Sequence, residues 1–294
     1  MATGCRGPIY PAGGGTLMAQ HTPLAAPDFA AWNAAALRVL TAARPEAVAE
    51  ALEAALRLVL DFDVAVFAAL HRDAPPSAPY YGGAQEPSPA YHDGPYLLDP
   101  FYNRFLAGTT EGCFRLSELA PEGFLRSEYF SSYYRHLEIG DELGLLTALG
   151  SGSAAHVSIM RRPGRPRFTR RDHHWLAATA PLAREAVRRM NEVQSPVAND
   201  RSALHDSLRQ AYRHFGASIL TERERDVVHL LLQGNSAKAI ARGLSISPET
   251  ARNHLKRVYP KLGVASQAEL FALFFRALEQ VEPGFEGDPL TRLR

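Results

Sequence analysis

In the stretch "PETARNHLKRVYPKLG", residues 248–263, the side chains best equipped for chemistry are Arg252, Asn253, Lys256 and Arg257. Arginine or lysine can donate to O6 and N7 of guanine, and an asparagine amide can pair with N6 and N7 of adenine. The set therefore matches the hydrogen-bonding edges of the DNA major groove. On a helix turning 100° per residue, Ala251, Leu255, Val258 and Leu262 fall within about 60° of one another. Glu249, Arg252, Asn253, Lys256 and Arg257 then share the opposite side. A solvated amphipathic helix would carry the same charges, so the neighbouring elements must decide. Lysine usage points to the same place. Of 32 Lys plus Arg only three are lysines, Lys238, Lys256 and Lys261, all within residues 235–263. A compact ammonium on a flexible stem can follow a phosphate without a fixed fork, which arginine does not reproduce.

The elements that must position these residues are legible. Thr221 with Glu224 three residues on is a capping box, Val227, Leu230 and Leu231 form an apolar face, and Gly234 is a natural helix stop. "SAKAIARGL" gives a short second helix with Ile240 and Ala241 inward, and Leu244–Ile246 forms the turn. Ser247 caps a third helix that starts with Pro248, where a missing N–H costs nothing. Ser266 and Glu269 form another capping box, for a fourth helix reaching about Ala277. Three short helices with a tight turn between the second and third predict a helix-turn-helix.

Residues 220–266, "LTERERDVVHLLLQGNSAKAIARGLSISPETARNHLKRVYPKLGVAS", closely resemble the LuxR-type (GerE-type) DNA-binding domain. The resemblance rests on Leu220, Thr221, Arg223, Glu224, Gly234, Lys238, Ile240-Ala241, Leu244, Ile246-Ser247, Thr250, His254 and the Lys-Leu-Gly-Val at 261–264. It implies base-edge contacts by Arg252, Asn253 and Lys256, and phosphate contacts by Lys238, Thr250, Arg257 and Lys261. Two positions depart from the pattern: Ala251 replaces a usual valine, and Pro260 sits in the last turn of the recognition helix. The proline removes one backbone hydrogen bond there, so a kink that re-aims Lys261 is expected.

The chain ahead of this domain is of another kind. Residues 1–200 hold 18 Arg against 21 acids, whereas residues 201–294 hold 14 Lys plus Arg against 10 acids. A mildly acidic body with a basic end suits a sensor joined to a nucleic-acid-binding module. Residues 28–43 and 46–60 have helical spacing, and "DVAVFAALHR" reads as a buried strand. Residues 73–95, with six prolines, should be loop with one short strand. Helices are expected over 99–107, 127–137 and 170–193, the last opened by a capping-box-like pair, Thr169 and Asp172. "ELGLLTALGSGSAAHVSIMRR" predicts a hairpin.

Residues 80–134 hold 13 of the 27 aromatic residues, which suits a pocket for a small organic molecule but equally an aromatic core or dimer face. Tyr91, Tyr96 and Asp99-Pro100, then Phe114 before "RLSEL", resemble the autoinducer-binding domain of quorum-sensing LuxR regulators. That resemblance implies a GAF-like sandwich, with Asp99 gripping a ligand amide and Tyr91, Tyr96 and Phe114 at the pocket. Phe114 stands where that family favours tryptophan.

Enzyme classes find no support. The two cysteines, Cys5 and Cys113, form no CxxC pair, His173 and His174 point to different helix faces, and "GSGS" lacks the context of a phosphate loop. No catalytic residue, metal site or cofactor is expected. No apolar run approaches the roughly 18–20 residues of a membrane span, and the cysteine usage fits a cytoplasmic protein. The expected fold is α+β, a GAF-like α/β sandwich followed by an all-α four-helix domain. Its divisions are a disordered segment (1–27), a sensory or dimerisation domain (28–193), a linker with a connecting helix (194–215), the helix-turn-helix domain (216–280) and a tail (281–294). Double-stranded DNA, a second copy of the chain, a small-molecule ligand and RNA polymerase are the expected partners. The alternative is a regulator without a ligand whose first domain serves dimerisation or protein docking.

Overall fold

The computed structural model describes residues 28–83, 94–131, 138–150, 152–192 and 198–293. Tyr91, residues 132–137 of the helix expected over 127–137, and the segment 1–27 lie outside the described residues.

The first unit is a five-stranded antiparallel sheet covered on both faces. Its strands are β1 (Val64–His71), β2 (Ser77–Gly82), β3 (Gly112–Arg115), β4 (Asp141–Gly150) and β5 (Ser153–Arg161), in the order β2-β1-β5-β4-β3. The central strands are buried on both sides, so they read as apolar runs without alternation. One face packs under α1 (Phe29–Thr41), α2 (Pro45–Arg57) and α6 (Ala180–Glu192), burying Val39, Leu52, Leu56, Phe67, Val157, Ile159 and Val187. Helix α1 ends at Thr41, and Pro45 opens α2 at its first position.

The long helix expected over 170–193 is two: α5 (Arg170–Ala178) and α6, which divide at Thr179. Pro181 has no N–H to give the carbonyl of Ala177, and its ring crowds that turn. The Thr179 hydroxyl donates instead to the carbonyl of Leu176 at 2.7 Å.

The other face of the sheet is covered by a 3-10 turn (Pro95–Leu98), α3 (Pro100–Leu106) and the short α4 (Leu116–Leu119). Its core does not stop there. Phe101, Phe105, Leu146 and Met160 continue through Phe124 and Tyr129 into Phe215, Val227, Leu231, Phe271 and Phe274 of the C-terminal helices. These helices are α7 (Ala198–His214), α8 (Glu222–Leu232), α9 (Ala237–Gly243), α10 (Pro248–Leu262) and α11 (Gln267–Leu278). The fold is thus mixed α+β with a C-terminal helical unit, as the sequence predicts, but the two units share one apolar layer.

The linker helix α7 is bound to the sheet unit by polar contacts at the end of β1. His205 Nε2 faces the carbonyl of Arg72 at 3.1 Å, so Nε2 carries the proton, and Nδ1 accepts from the Tyr96 hydroxyl at 2.6 Å. Arg209 donates to the same Arg72 carbonyl at 2.6 Å. Burial holds the His205 pKa below its usual value, in keeping with a neutral ring.

The expected C-terminal tail is also structured. Asp288 accepts from the Gly216 N–H at 3.0 Å, the Ser218 N–H at 2.8 Å and the Ser218 hydroxyl at 2.6 Å. Phe285 and Leu290 are buried in the shared core. Nothing in the local pattern of "EPGFEGDPLTRLR" announces this, because the groups that Asp288 satisfies lie some 70 residues earlier.

Candidate nucleic-acid interface

The helix-turn-helix is built from its caps inward. Thr221 and Glu224 form the reciprocal capping box of α8, Ser236 caps α9 and Ser247 caps α10, each by accepting a backbone N–H three residues on. Ser266 caps α11 likewise, but Glu269 accepts from the Ala265 N–H at 2.9 Å and the Ser266 hydroxyl at 3.4 Å rather than from the Ser266 N–H. Gly234 ends α8 in a left-handed conformation, φ 92°. In the turn between α9 and α10, Ser245 also has a positive φ, 54°. The guanidinium of Arg223 donates to the Leu244 carbonyl and so ties α8 to that turn.

Inside, Val227, Leu231, Ile240, Ala241, Ala251, Val258 and Leu262 are buried, and Leu255 is half-buried against the same layer. Burying Ala251, Val258 and Leu262 forces the opposite side of α10 outward. Glu249, Arg252, Asn253, Lys256 and Arg257 are exposed there, as the helical periodicity requires. Lys238 on α9 and Thr250 at the start of α10 are exposed as well, the Thr250 hydroxyl lying 2.9 Å from that of Ser247. Helix α10 runs through Pro260 to Leu262, and Gly263 closes it with φ 68°.

Lys261 differs from expectation. Its ammonium donates to both carboxylate oxygens of Glu224, at 2.8 and 2.6 Å, and joins the end of α10 to the start of α8. The Glu224 carboxyl is thereby held below its usual pKa, the Lys261 hydrogen bond being the first cause. A carboxyl whose pKa falls on folding contributes stability that is present above its unfolded value, about 4.3. That contribution is lost as pH falls through the folded value. Lys261→Ala should cost about 1–3 kcal/mol near neutral pH, as losing a charged hydrogen bond does. The deficit should shrink as Glu224 protonates in acid. Urea unfolding of both proteins across that range measures it, and a deficit independent of pH would contradict the pairing.

Of the residues named from sequence for a ligand pocket, Tyr91 lies outside the described residues, and the other three each have a place in the protein's own packing. Tyr96 is buried and spends its hydroxyl on His205 of α7. Asp99 caps α3, accepting from the Phe101 and Tyr102 N–H groups at 2.8 and 3.0 Å. Phe114 is half-buried on β3, with the Arg104 guanidinium 5.3 Å from its ring centroid. Sequence reasoning passed over three buried polar side chains on the same sheet face, Glu142, His156 and Ser158. Their signal was present: an acid, an imidazole and a hydroxyl at alternating positions that otherwise carry Gly144, Leu146, Ala154 and Met160. Among the described residues no cluster of His, Cys, Asp and Glu could hold a metal ion, and no helix is long and apolar enough to cross a membrane.

Residues 218–274 match the family described as bacterial regulatory proteins, luxR family. Over 186 residues the chain is 32% identical to a protein of Aeromonas salmonicida provisionally named as the HTH-type transcriptional regulator of the exeN 3' region, covering 61% of this chain and 94% of that one. It is 45% identical over 51 residues to the spore germination protein GerE of Bacillus subtilis, covering 17% of this chain and 69% of that one. Among solved structures it is similar to the VqsR LBD domain of Pseudomonas aeruginosa, at 23% identity and a TM-score of 0.47, covering 54% of this chain and 95% of that one. With its exposed basic recognition helix and a relative matched along almost its whole length, the chain belongs to the LuxR family of bacterial regulatory proteins and is a DNA-binding transcriptional regulator rather than an enzyme.

Proposed function

We propose that this regulator reads an operator as a dimer in the cytoplasm, and that a small molecule bound by residues 28–193 sets how strongly residues 216–280 hold DNA. Arg252, Asn253 and Lys256 take the base edges. Lys238, Thr250 and Arg257 take phosphates, and Lys261 joins them through the ammonium protons left over from Glu224. The observation that carries the coupling is the shared apolar layer. Tyr129 of the first unit and Phe271 of α11 lie 6.4 Å apart, centroid to centroid, and Arg242 of α9 pairs with Glu122 at 3.1 Å. A ligand that repacks the first unit's inner face therefore pushes directly on the DNA-binding helices, and its differential affinity for the two arrangements sets the response.

The ligand-independent reading draws support from Tyr96 and Asp99, whose polar atoms serve the protein's own helices. The unmet polar atoms on β4 and β5 favour the ligand reading. Dimerisation is proposed because paired half-sites about one helical turn apart give two recognition helices useful affinity. Leu270 and Phe274 of α11, which a sequence reading offers as a contact strip, are fully buried within the chain and only Leu273 remains half-exposed. The exposed Phe29, Leu37 and Leu40 of α1 are the better apolar surface for a second copy.

Salt titration on operator and scrambled duplexes tests the phosphate assignments. Lys238→Ala should weaken binding to both duplexes alike and lower the slope of log affinity against log salt by about 0.9, one counterion fewer being released. Lys261→Ala should lower it by less, because much of that charge is already neutralised by Glu224. Equal slopes for wild type and Lys238→Ala would remove Lys238 from the interface.

A further inference from the structure

The sheet face turned towards α3 carries three polar side chains in an otherwise apolar layer. The register sets Gly144 opposite Ser158 and Leu146 opposite His156, so Glu142, Ser158 and His156 share that face. They are 1%, 0% and 8% exposed. The Ser158 hydroxyl donates to Glu142 Oε1 at 2.5 Å. Glu142 Oε2 and His156 Nε2 are shielded from solvent and have no hydrogen-bond partner among the described residues. Two unmet polar atoms on one buried sheet face are a persistent cost that packing alone does not require.

Beside them stands an aromatic wall. A Cβ on Gly144 would come within 2.1 Å of the Phe101 ring, so the glycine is what lets that ring lie against β4. The same ring lies 4.8 Å from the His156 ring, centroid to centroid. The charged groups acting on Glu142 are both acidic: Asp99 at the start of α3 and Asp141 beside it on β4. Nearby cations are engaged elsewhere, Arg115 with Asp141 at 3.2 Å and Arg161 with Asp172 at 3.7 Å. Burial, before these two acids, pushes the Glu142 carboxyl up to about 8 and keeps the His156 ring neutral.

We propose that Glu142 anchors a protonated nitrogen of the small molecule that the first unit senses, with Phe101 as its aromatic wall and His156 meeting a second polar group. The proposal rests on the ligand-sensing reading above and names the ligand's class: an amine with an apolar or aromatic body. With two acids and, among the described residues, no cation acting on Glu142, the surroundings repel a carboxylate ligand and favour a cation. A charge-assisted bond to Glu142 is stronger than a neutral one, and ring faces attract cations. Two residues along β5 separate Ser158 from His156, about 6.5–7 Å, which sets the spacing of the ligand's second polar group. Binding an ammonium requires Glu142 to give up its proton. Affinity for an amine should therefore rise with pH, by up to about tenfold per unit below the carboxyl's pKa, and level off above it.

Calorimetry on the full chain with 2-phenylethylamine and octylamine, each against its alcohol counterpart 2-phenylethanol or octanol, tests this from mildly acidic to mildly basic pH. The amines should bind at least about tenfold more tightly than the alcohols, increasingly so as pH rises, and Glu142→Gln should abolish the preference. Glu142→Met, which removes the orphaned oxygen, should raise the unfolding temperature while losing the amine response, as expected of a binding residue kept at a cost in stability. A lowered unfolding temperature in Glu142→Met would make the carboxyl a structural group and overturn the anchor. Alcohols binding as tightly as amines would also overturn it, yet leave ligand sensing standing. Silence from both pairs would overturn the anchor and count against ligand sensing as well.

Discussion

Arg252→Ala and Lys256→Ala should each lose about 1–3 kcal/mol of affinity for the operator and relax its sequence preference, while binding to random DNA changes much less. The expectation follows from where α10 puts these side chains. Ala251, Val258 and Leu262 are buried beneath the helix, so Arg252 and Lys256, one turn apart, face outward together with Asn253. A guanidinium or ammonium in that place can donate to guanine edges, and removing it leaves those acceptors unmet in the complex. Among the described residues none of the three makes an ion pair or a side-chain hydrogen bond, unlike Lys261, so their loss should leave folding intact. An operator selected from randomised duplexes supplies the substrate, and affinities for it and for a scrambled duplex are compared at several salt concentrations. If Lys256→Ala weakens both duplexes equally, Lys256 is a phosphate contact and the base-reading role is wrong.

The largest effect on stability is expected from Phe274→Ala, about 3–5 kcal/mol, the range for deleting a fully buried aromatic side chain. Phe274 is completely buried, with the rings of Tyr212, Phe215 and Phe275 at 5.8, 5.1 and 5.0 Å. Tyr212 and Phe215 belong to the linker helix and the segment just after it, so the cavity would open between α7 and α11 rather than on a free surface. A role confined to dimer contacts would give the opposite pattern: unchanged unfolding at low protein concentration with a weakened dimer. Urea unfolding at two protein concentrations, with sedimentation of the same samples, separates the two. Leu273→Ala, at a half-exposed position beside it, should cost far less.

The DNA-binding half was legible in the sequence because its determinants are local. A capping box spans four residues, the turn needs Leu244 to Ile246, and the outward set on α10 follows from the helical repeat and three apolar positions. Thr221, Glu224, Ser247 and Gly234 stand where their types predict. The hairpin of β4 and β5, the capped start of α5 and most of the sheet unit's helices were legible for the same reason. Edge strand β3, only four residues long, was not, since it is strand only by pairing with β4.

What the tertiary structure decided are the partners that sequence distance hides. Nothing local says that the Tyr96 hydroxyl ends on His205, 109 residues on, or that Lys261 ends on Glu224, 37 residues back. The aromatic concentration was visible, but not that Phe101 would lie over Gly144, or that Tyr129 would meet Phe271. Charge and periodicity report which face of an element is apolar and which is polar. They do not report what that face meets, because contacts between distant segments depend on the packing of the whole chain. The sequence alone therefore determined that this protein belongs among DNA-binding regulators, and which face of α10 is left exposed. Only the folded chain decided that its sheet unit and its C-terminal helices share one core, and that an acid, a hydroxyl and an imidazole lie buried together on one face of the sheet.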